Sequence, residues 1–158
     1  MRPLLPKKAI LMIWAFALCP IAWSETPPGE DLDLADYTGK VVVVDFWASW
    51  CVPCRRSFPW LNSMNDRYAK DGLVIIGINV DRERESAAEF LQDFPADFEI
   101  RYDKNGVLAK RFDVQGMPSS FVIGRDGQTR ARHLGFKVRR QDEYEAAIIA
   151  ALQQEVAE

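Results

Sequence analysis

Residues 41–47, VVVVDFW, run as β-branched and aromatic positions broken only by Asp45, and residues 73–80, LVIIGINV, form a second run of the same kind. Apolar runs without polar alternation predict strands covered on both faces. Between them Leu61, Met64 and Tyr68 recur at helical spacing, which predicts a helix from Val52 to Lys70 closed by Asp71-Gly72. Strand, helix and second strand together predict a parallel βαβ unit.

Asp81 then stands as a candidate N-cap for a helix from Arg82 to Phe94. A short extended piece from Phe98 to Tyr102 and a helix near Val107 to Phe112 follow. The stretches SSFVIG and QTRARHLG flank Arg125-Asp126-Gly127, whose Asp-Gly pair predicts a hairpin. An amphipathic pattern from Arg139 to Gln154 predicts the last helix, and Leu32 to Tyr37 a short turn of helix ending at Gly39. The fold class is α/β, with a central mixed β-sheet flanked by helices on both faces. No repeat or low-complexity segment divides the chain, so residues 32–158 are expected to form one domain.

The N-terminus has a different pattern. Arg2, Lys7 and Lys8 precede the apolar run AILMIWAFALCPIAW, which ends in Ala22-Trp23-Ser24 before the polar ETPPGED. That layout predicts a secretory signal peptide over residues 1–24, cleaved after Ser24, and an exposed lead-in over residues 25–31. The run from Ala9 to Trp23 falls short of the roughly 20 residues a spanning helix needs, and Pro20 interrupts it. Left uncleaved, the segment would tether the protein to the inner membrane. Cys19 follows the bulky Leu18, where a lipoprotein signal wants a small residue, so it is expected to leave with the signal. The remaining chain has 17 basic and 23 acidic residues, a formal charge of −6, which argues against nucleic acid or an anionic membrane surface as a partner.

Cys51 and Cys54 are then the cysteines left, in a compartment where disulfides persist. Three positions apart at the start of the first helix, they share a face, and a disulfide between them closes a very small ring. Such a ring removes little chain entropy and is a poor staple, which favours a pair that opens and closes. A helix N-terminus offers N–H groups and the positive end of the dipole, which favour a thiolate. Cys51, nearer the edge and beside Trp50, is the expected exposed nucleophile, and Cys54 the resolving cysteine. Pro53 stiffens the loop without sacrificing a helical hydrogen bond. Val52 adds no charge or donor, which favours a more reducing couple. A structural disulfide is the competing reading of the pair. Zinc is not expected: two cysteines and His133 fall short of four ligands.

On these residues the chain resembles the thioredoxin superfamily, and within it the TlpA/ResA-like extracytoplasmic thiol-disulfide oxidoreductases. The likeness rests on VVVVDFWASWCVPC, Phe58-Pro59, LVIIGINVD, and Gly116-Met117-Pro118-Ser119-Ser120-Phe121-Val122-Ile123 with Gly127 after it, and spans roughly residues 32–155. It implies a thioredoxin fold, with Pro118 as a cis-proline facing the cysteines and Met117 presenting its backbone to a substrate strand. Asp45, an acid in a strand that should be buried, matches an acid of thioredoxin suited to take the Cys54 proton. ResA-like proteins typically carry a glutamate three residues after the second cysteine, and Ser57 stands there. The short N-terminus leaves little room for the extra hairpin of many members, and the glutamate-containing central motif of the haem-maturation members is absent.

The expected function is therefore a periplasmic or extracytoplasmic protein-disulfide reductase, with Cys51, Cys54 and Asp45 as catalytic residues. Trp50, Pro53, Met117 and Pro118 are the expected substrate contacts, and no cofactor or metal is expected beyond the redox-active pair. The partners implied are a protein disulfide or thiol substrate and an inner-membrane electron donor, with the chain itself a monomer. A disulfide oxidase or isomerase, or a binding module for a protein or haem-maturation partner, are the alternatives. Trp47 and Trp50 flank the motif and are expected to be partly core and partly rim, with the resemblance favouring Trp50 as a platform for the substrate disulfide. Arg55, Arg56, the charged stretch 81–85, Lys137, Arg139, Arg140 and His133 are expected to be solvated surface.

Overall fold

The computed structural model describes residues 32–154; the predicted signal peptide, the lead-in and residues 155–158 lie outside the described residues. Five strands form one sheet: β1 (Val41–Trp47), β2 (Leu73–Asn79), β3 (Glu99–Tyr102), β4 (Ser119–Ile123) and β5 (Thr129–Leu134). Their spatial order is β3-β2-β1-β4-β5. The β1/β2 and β2/β3 pairs are parallel, and the β1/β4 and β4/β5 pairs antiparallel. Among the described residues four α-helices accompany them: α1 (Cys54–Tyr68), α2 (Arg84–Asp93), α3 (Val107–Arg111) and α4 (Gln141–Leu152). This is the mixed sheet between helices that the sequence pattern predicts.

The valine run lies at the centre of the sheet because it can be covered twice. Val42, Val44 and Phe46 pack with Leu108 of α3 and Phe121 of β4 on one face. Val41 and Val43 pack with Leu61 and Met64 of α1 and Ile148 and Ala151 of α4 on the other. Trp47 joins Phe58 of α1 and Ala87 and Phe90 of α2 in a third cluster that also contains both cysteines. Each fully buried large side chain contributes on the order of 2 kcal/mol relative to exposure, so this two-sided core is what fixes the β1 register.

The helix boundaries differ from expectation in an informative way. Helix α1 starts at Cys54, with Pro53 (φ −63°) at its N-cap, rather than at Val52. The chain leaving β1 first makes tight turns, Cys51 N–H donating to Ala48 O and Cys54 N–H to Cys51 O, both at 3.1 Å. Helix α2 starts at Arg84 with Glu83 as N-cap, so Asp81 does not cap it. The final helix begins at Gln141, preceded by a 3-10 turn over Val138–Arg140.

Candidate active site around Cys51 and Cys54

β1 ends at Trp47 and β4 begins at Ser119, and the antiparallel register pairs Phe46 with Ser119. The turn that follows β1 and the segment that precedes β4 therefore lie at the same end of the sheet. The first holds the Cys51–Cys54 disulfide, with Cα atoms 5.4 Å apart. The second holds the cis peptide bond between Met117 and Pro118. Met117 packs against the cluster containing both cysteines, and Pro118 is buried.

Cys51 is 3% exposed and Cys54 fully buried. Cys51 keeps the outer place of the two but is far less exposed than its position at the edge predicts, because the turn folds it under its neighbours. The open surface belongs instead to Trp50 and Val52, 67% and 59% exposed, with Pro53 half-buried behind them. Trp47 is entirely buried. The two tryptophans divide the roles: Trp47 is core, and Trp50 is a free apolar face next to the disulfide. The first-turn amides are not free either. Arg55 N–H donates to Val52 O at 3.3 Å and Arg56 N–H to Pro53 O at 3.0 Å, which leaves the helix dipole rather than open donors as the local positive field.

Asp45 is buried on the face of β1 that α1 covers, and its Oδ1 accepts a hydrogen bond from Ser120 Oγ on β4. Oδ2 has no partner. Burial pushes the carboxyl up to about 7, with the Ser120 hydrogen bond opposing it. An acid held there exchanges its proton near neutral pH, which is what a group serving a thiol needs. Ser57, in the place of the family's glutamate, is buried, its Oγ donating to Cys54 O at 3.2 Å, and it lines the same small cavity as Asp45. A hydroxyl bonded to a carbonyl supplies no charge there, and Asp45 is the nearby acid.

The Asp81 side chain has another task. Its Oδ2 accepts from Ser49 N–H at 2.9 Å and from Asn79 Nδ2 at 2.7 Å, and its Oδ1 from Ser49 Oγ at 3.0 Å. Asp81 N–H in turn donates to Asn79 Oδ1 at 3.1 Å. This buried network fastens the turn before Trp50 and Cys51 to the end of β2. Sequence reasoning missed it because the signal, a serine inside WASWC and an acid directly after LVIIGINV, pairs only once the parallel β1/β2 register is known. His133 is likewise half-buried rather than solvated, its ring 4.8 Å from that of Tyr144. Among the described residues no group of three His, Cys, Asp or Glu side chains is placed to hold a metal ion.

The Redoxin family model matches residues 22–148. ResA, a thiol-disulfide oxidoreductase of Bacillus thuringiensis subsp. konkukian, is 31% identical over 117 residues, covering 73% of this chain and 68% of that protein. ResA of Bacillus subtilis is 27% identical over 104 residues, covering 66% and 58%. A crystal structure from Chlorobium tepidum, described as a thiol:disulfide interchange protein DsbE, superposes with a TM-score of 0.73 at 43% identity over 75% of this chain and 84% of that one. With a cysteine pair at the start of α1 on a thioredoxin fold, the chain belongs to the Redoxin family, in its TlpA/ResA-like branch, and is a thiol-disulfide oxidoreductase.

Proposed function

We propose that the protein reduces disulfides in extracytoplasmic proteins. The observation that carries this reading is the Cys51–Cys54 disulfide bridging the turn into α1, beside the exposed Trp50 and Val52, on a strand and helix that also bury Asp45. In the reduced enzyme, the Cys51 thiolate attacks one sulfur of a substrate disulfide, and the other sulfur leaves as a thiolate that takes a proton from water. Cys54 then gives its proton to Asp45 and attacks Cys51 Sγ, closing the Cys51–Cys54 bond and releasing the second substrate sulfur as a thiolate that also takes a proton from water. Two electrons have passed from the dithiol to the substrate. Trp50 and Pro53 form the apolar ledge beside the attacked bond, and the Met117-Pro118 segment takes the substrate chain in extended form. Nothing cationic stands between the cysteines, where Val52 and Pro53 leave the thiolate without added stabilisation, which supports the reducing direction.

The basic and apolar pattern of residues 1–24 supports export with cleavage after Ser24. The enzyme works there as a monomer without a bound cofactor and is recharged by a thiol donor in the inner membrane, because an oxidising compartment does not reduce it. Two variants test the exchange itself. Cys51→Ser abolishes turnover of a protein disulfide, and Cys54→Ser accumulates a covalent mixed disulfide that a reductant releases. Turnover persisting in Cys51→Ser, or no adduct in Cys54→Ser, contradicts the assignment.

A further inference from the structure

The strand registers set Asp45 of β1 beside Ser120 of β4, and Ser120 beside His133 of β5. Directly paired residues project from the same face, so the three side chains form one polar row across an otherwise apolar surface. Two strand spacings separate the ends of the row, roughly 10 Å between backbones. A cavity of about 10 Å³ is lined by all three residues of the row and by Ser57, and walled by Trp60 and Tyr144 among others. Such a volume is about that of one water. Asp45 and His133 both line it, and Asp45 Oδ2 and His133 Nε2 are sealed from solvent with no hydrogen-bond partner in the protein. Two orphaned polar atoms on residues that line one water-sized space call for a partner that can bond to both.

We propose that one water in this cavity joins Asp45 Oδ2 to His133 Nε2, and that His133 is the positioning residue through which the Asp45 proton reaches solvent. The inference rests on the proposed role of Asp45. When the pair is oxidised, the proton that Cys54 gives Asp45 passes from Oδ2 to the water and from the water to Nε2, while the outer ring nitrogen releases one to solvent. When the pair is reduced again, each transfer runs backwards and Cys54 regains its proton. No electron moves in either passage, and the imidazole returns to its starting tautomer once per cycle.

The surroundings suit this task. Asp45, His133 and Tyr144 are the titratable groups lining the cavity. Burial holds the imidazole below its ordinary range, while Glu143 raises it and Arg140 lowers it from the exposed side. The neutral ring, the form that can accept a proton, is thereby favoured. Tyr144 OH is occupied, accepting from Lys137 N–H at 3.3 Å. The imidazole ring is half-buried, with Nε2 sealed from solvent.

The test is single-turnover oxidation of the reduced full chain by a peptide disulfide, followed by tryptophan fluorescence from about pH 5.5 to about 9, at disulfide concentrations where resolution limits the rate. In the wild type the rate breaks where Asp45 titrates. His133→Phe, which seals the cavity without a nitrogen, lowers the rate on the order of tenfold and moves the break upward. His133→Gln restores the position of the break, because its amide can hold the water, but not the rate, because it cannot pass a proton through. On an Asp45→Asn background, His133→Phe adds nothing. A wild-type rate and break in His133→Phe, a full rate in His133→Gln, or a loss that persists on the Asp45→Asn background each overturns the relay while leaving Asp45 its role. An unchanged rate in Asp45→Asn overturns both readings. If His133→Phe does not fold, His133→Gln alone decides: a slowed rate with the wild-type break supports the relay, and a wild-type rate refutes it.

Discussion

A carboxyl that the fold holds at about 7 binds its proton more tightly than the same group in an unfolded chain, where its ordinary value is 3.8. For Asp45 this favours the folded state most below about pH 4, and the contribution is lost as the pH rises through about 7. A difference of that size is on the order of 4 kcal/mol. Urea unfolding of the oxidised protein is therefore expected to show the wild type losing more stability than Asp45→Asn between about pH 5 and about pH 8. Parallel profiles for the two proteins would refute the buried-acid account. Asp81 acts through geometry instead: removing its carboxylate in Asp81→Ala leaves Ser49 N–H and Asn79 Nδ2 without their acceptor. That is expected to cost about 2 kcal/mol and to speed hydrogen exchange at Ser49, whereas an unchanged unfolding midpoint would show the network to be incidental. At this scale Cys51, Cys54 and Asp45 could be singled out from sequence because each breaks a local pattern. His133 and Asp81 could not, since each gains its meaning from a residue on a strand distant in sequence.

Among the described residues one glycine stands inside a strand, and close packing on its face explains it. Gly77 of β2 pairs with Asp45 on one side and Ile100 on the other. A Cβ there would lie 2.9 Å from Ile100 Cδ1, 3.0 Å from Phe98 Cε2 and 3.2 Å from Trp47 Nε1. The two rings are rigid and interlocked with Phe58 and Phe90, so they cannot both yield. Gly77→Ala is expected to destabilise the protein by about 1–3 kcal/mol, read as a lower urea midpoint with an unchanged slope; no shift would mean that the cluster relaxes freely. β1 and β2 were legible from their apolar runs almost to the residue, and the hairpin strands from the Asp-Gly pair between them. The helix starts were not. α1 is delayed by the two tight turns through Cys51, and α2 by the diversion of the Asp81 carboxylate to Ser49. Both are tertiary effects that override local capping preferences.

Over the whole molecule, the order β3-β2-β1-β4-β5 sets the βαβ half against the hairpin half, with β1 as the seam. The cysteine turn and the Met117-Pro118 segment meet at one end of that seam, and the Asp45–Ser120–His133 row crosses it just below. The two edge strands carry charges, Glu99 and Arg101 on β3 and Arg130 and Arg132 on β5. Such edges resist pairing with a second chain, which fits the proposed monomer. The mixed sheet was legible as a class from the alternation of runs and turns, while the meeting of residues from opposite ends of the chain required the strand order. The central claim is that this site is a reducing dithiol, and the equilibrium reduction potential of the Cys51–Cys54 pair tests it most directly, followed by tryptophan fluorescence in defined thiol buffers. The account expects a value near or below about −230 mV, whereas a value above about −150 mV would contradict it and make the protein a donor of disulfides.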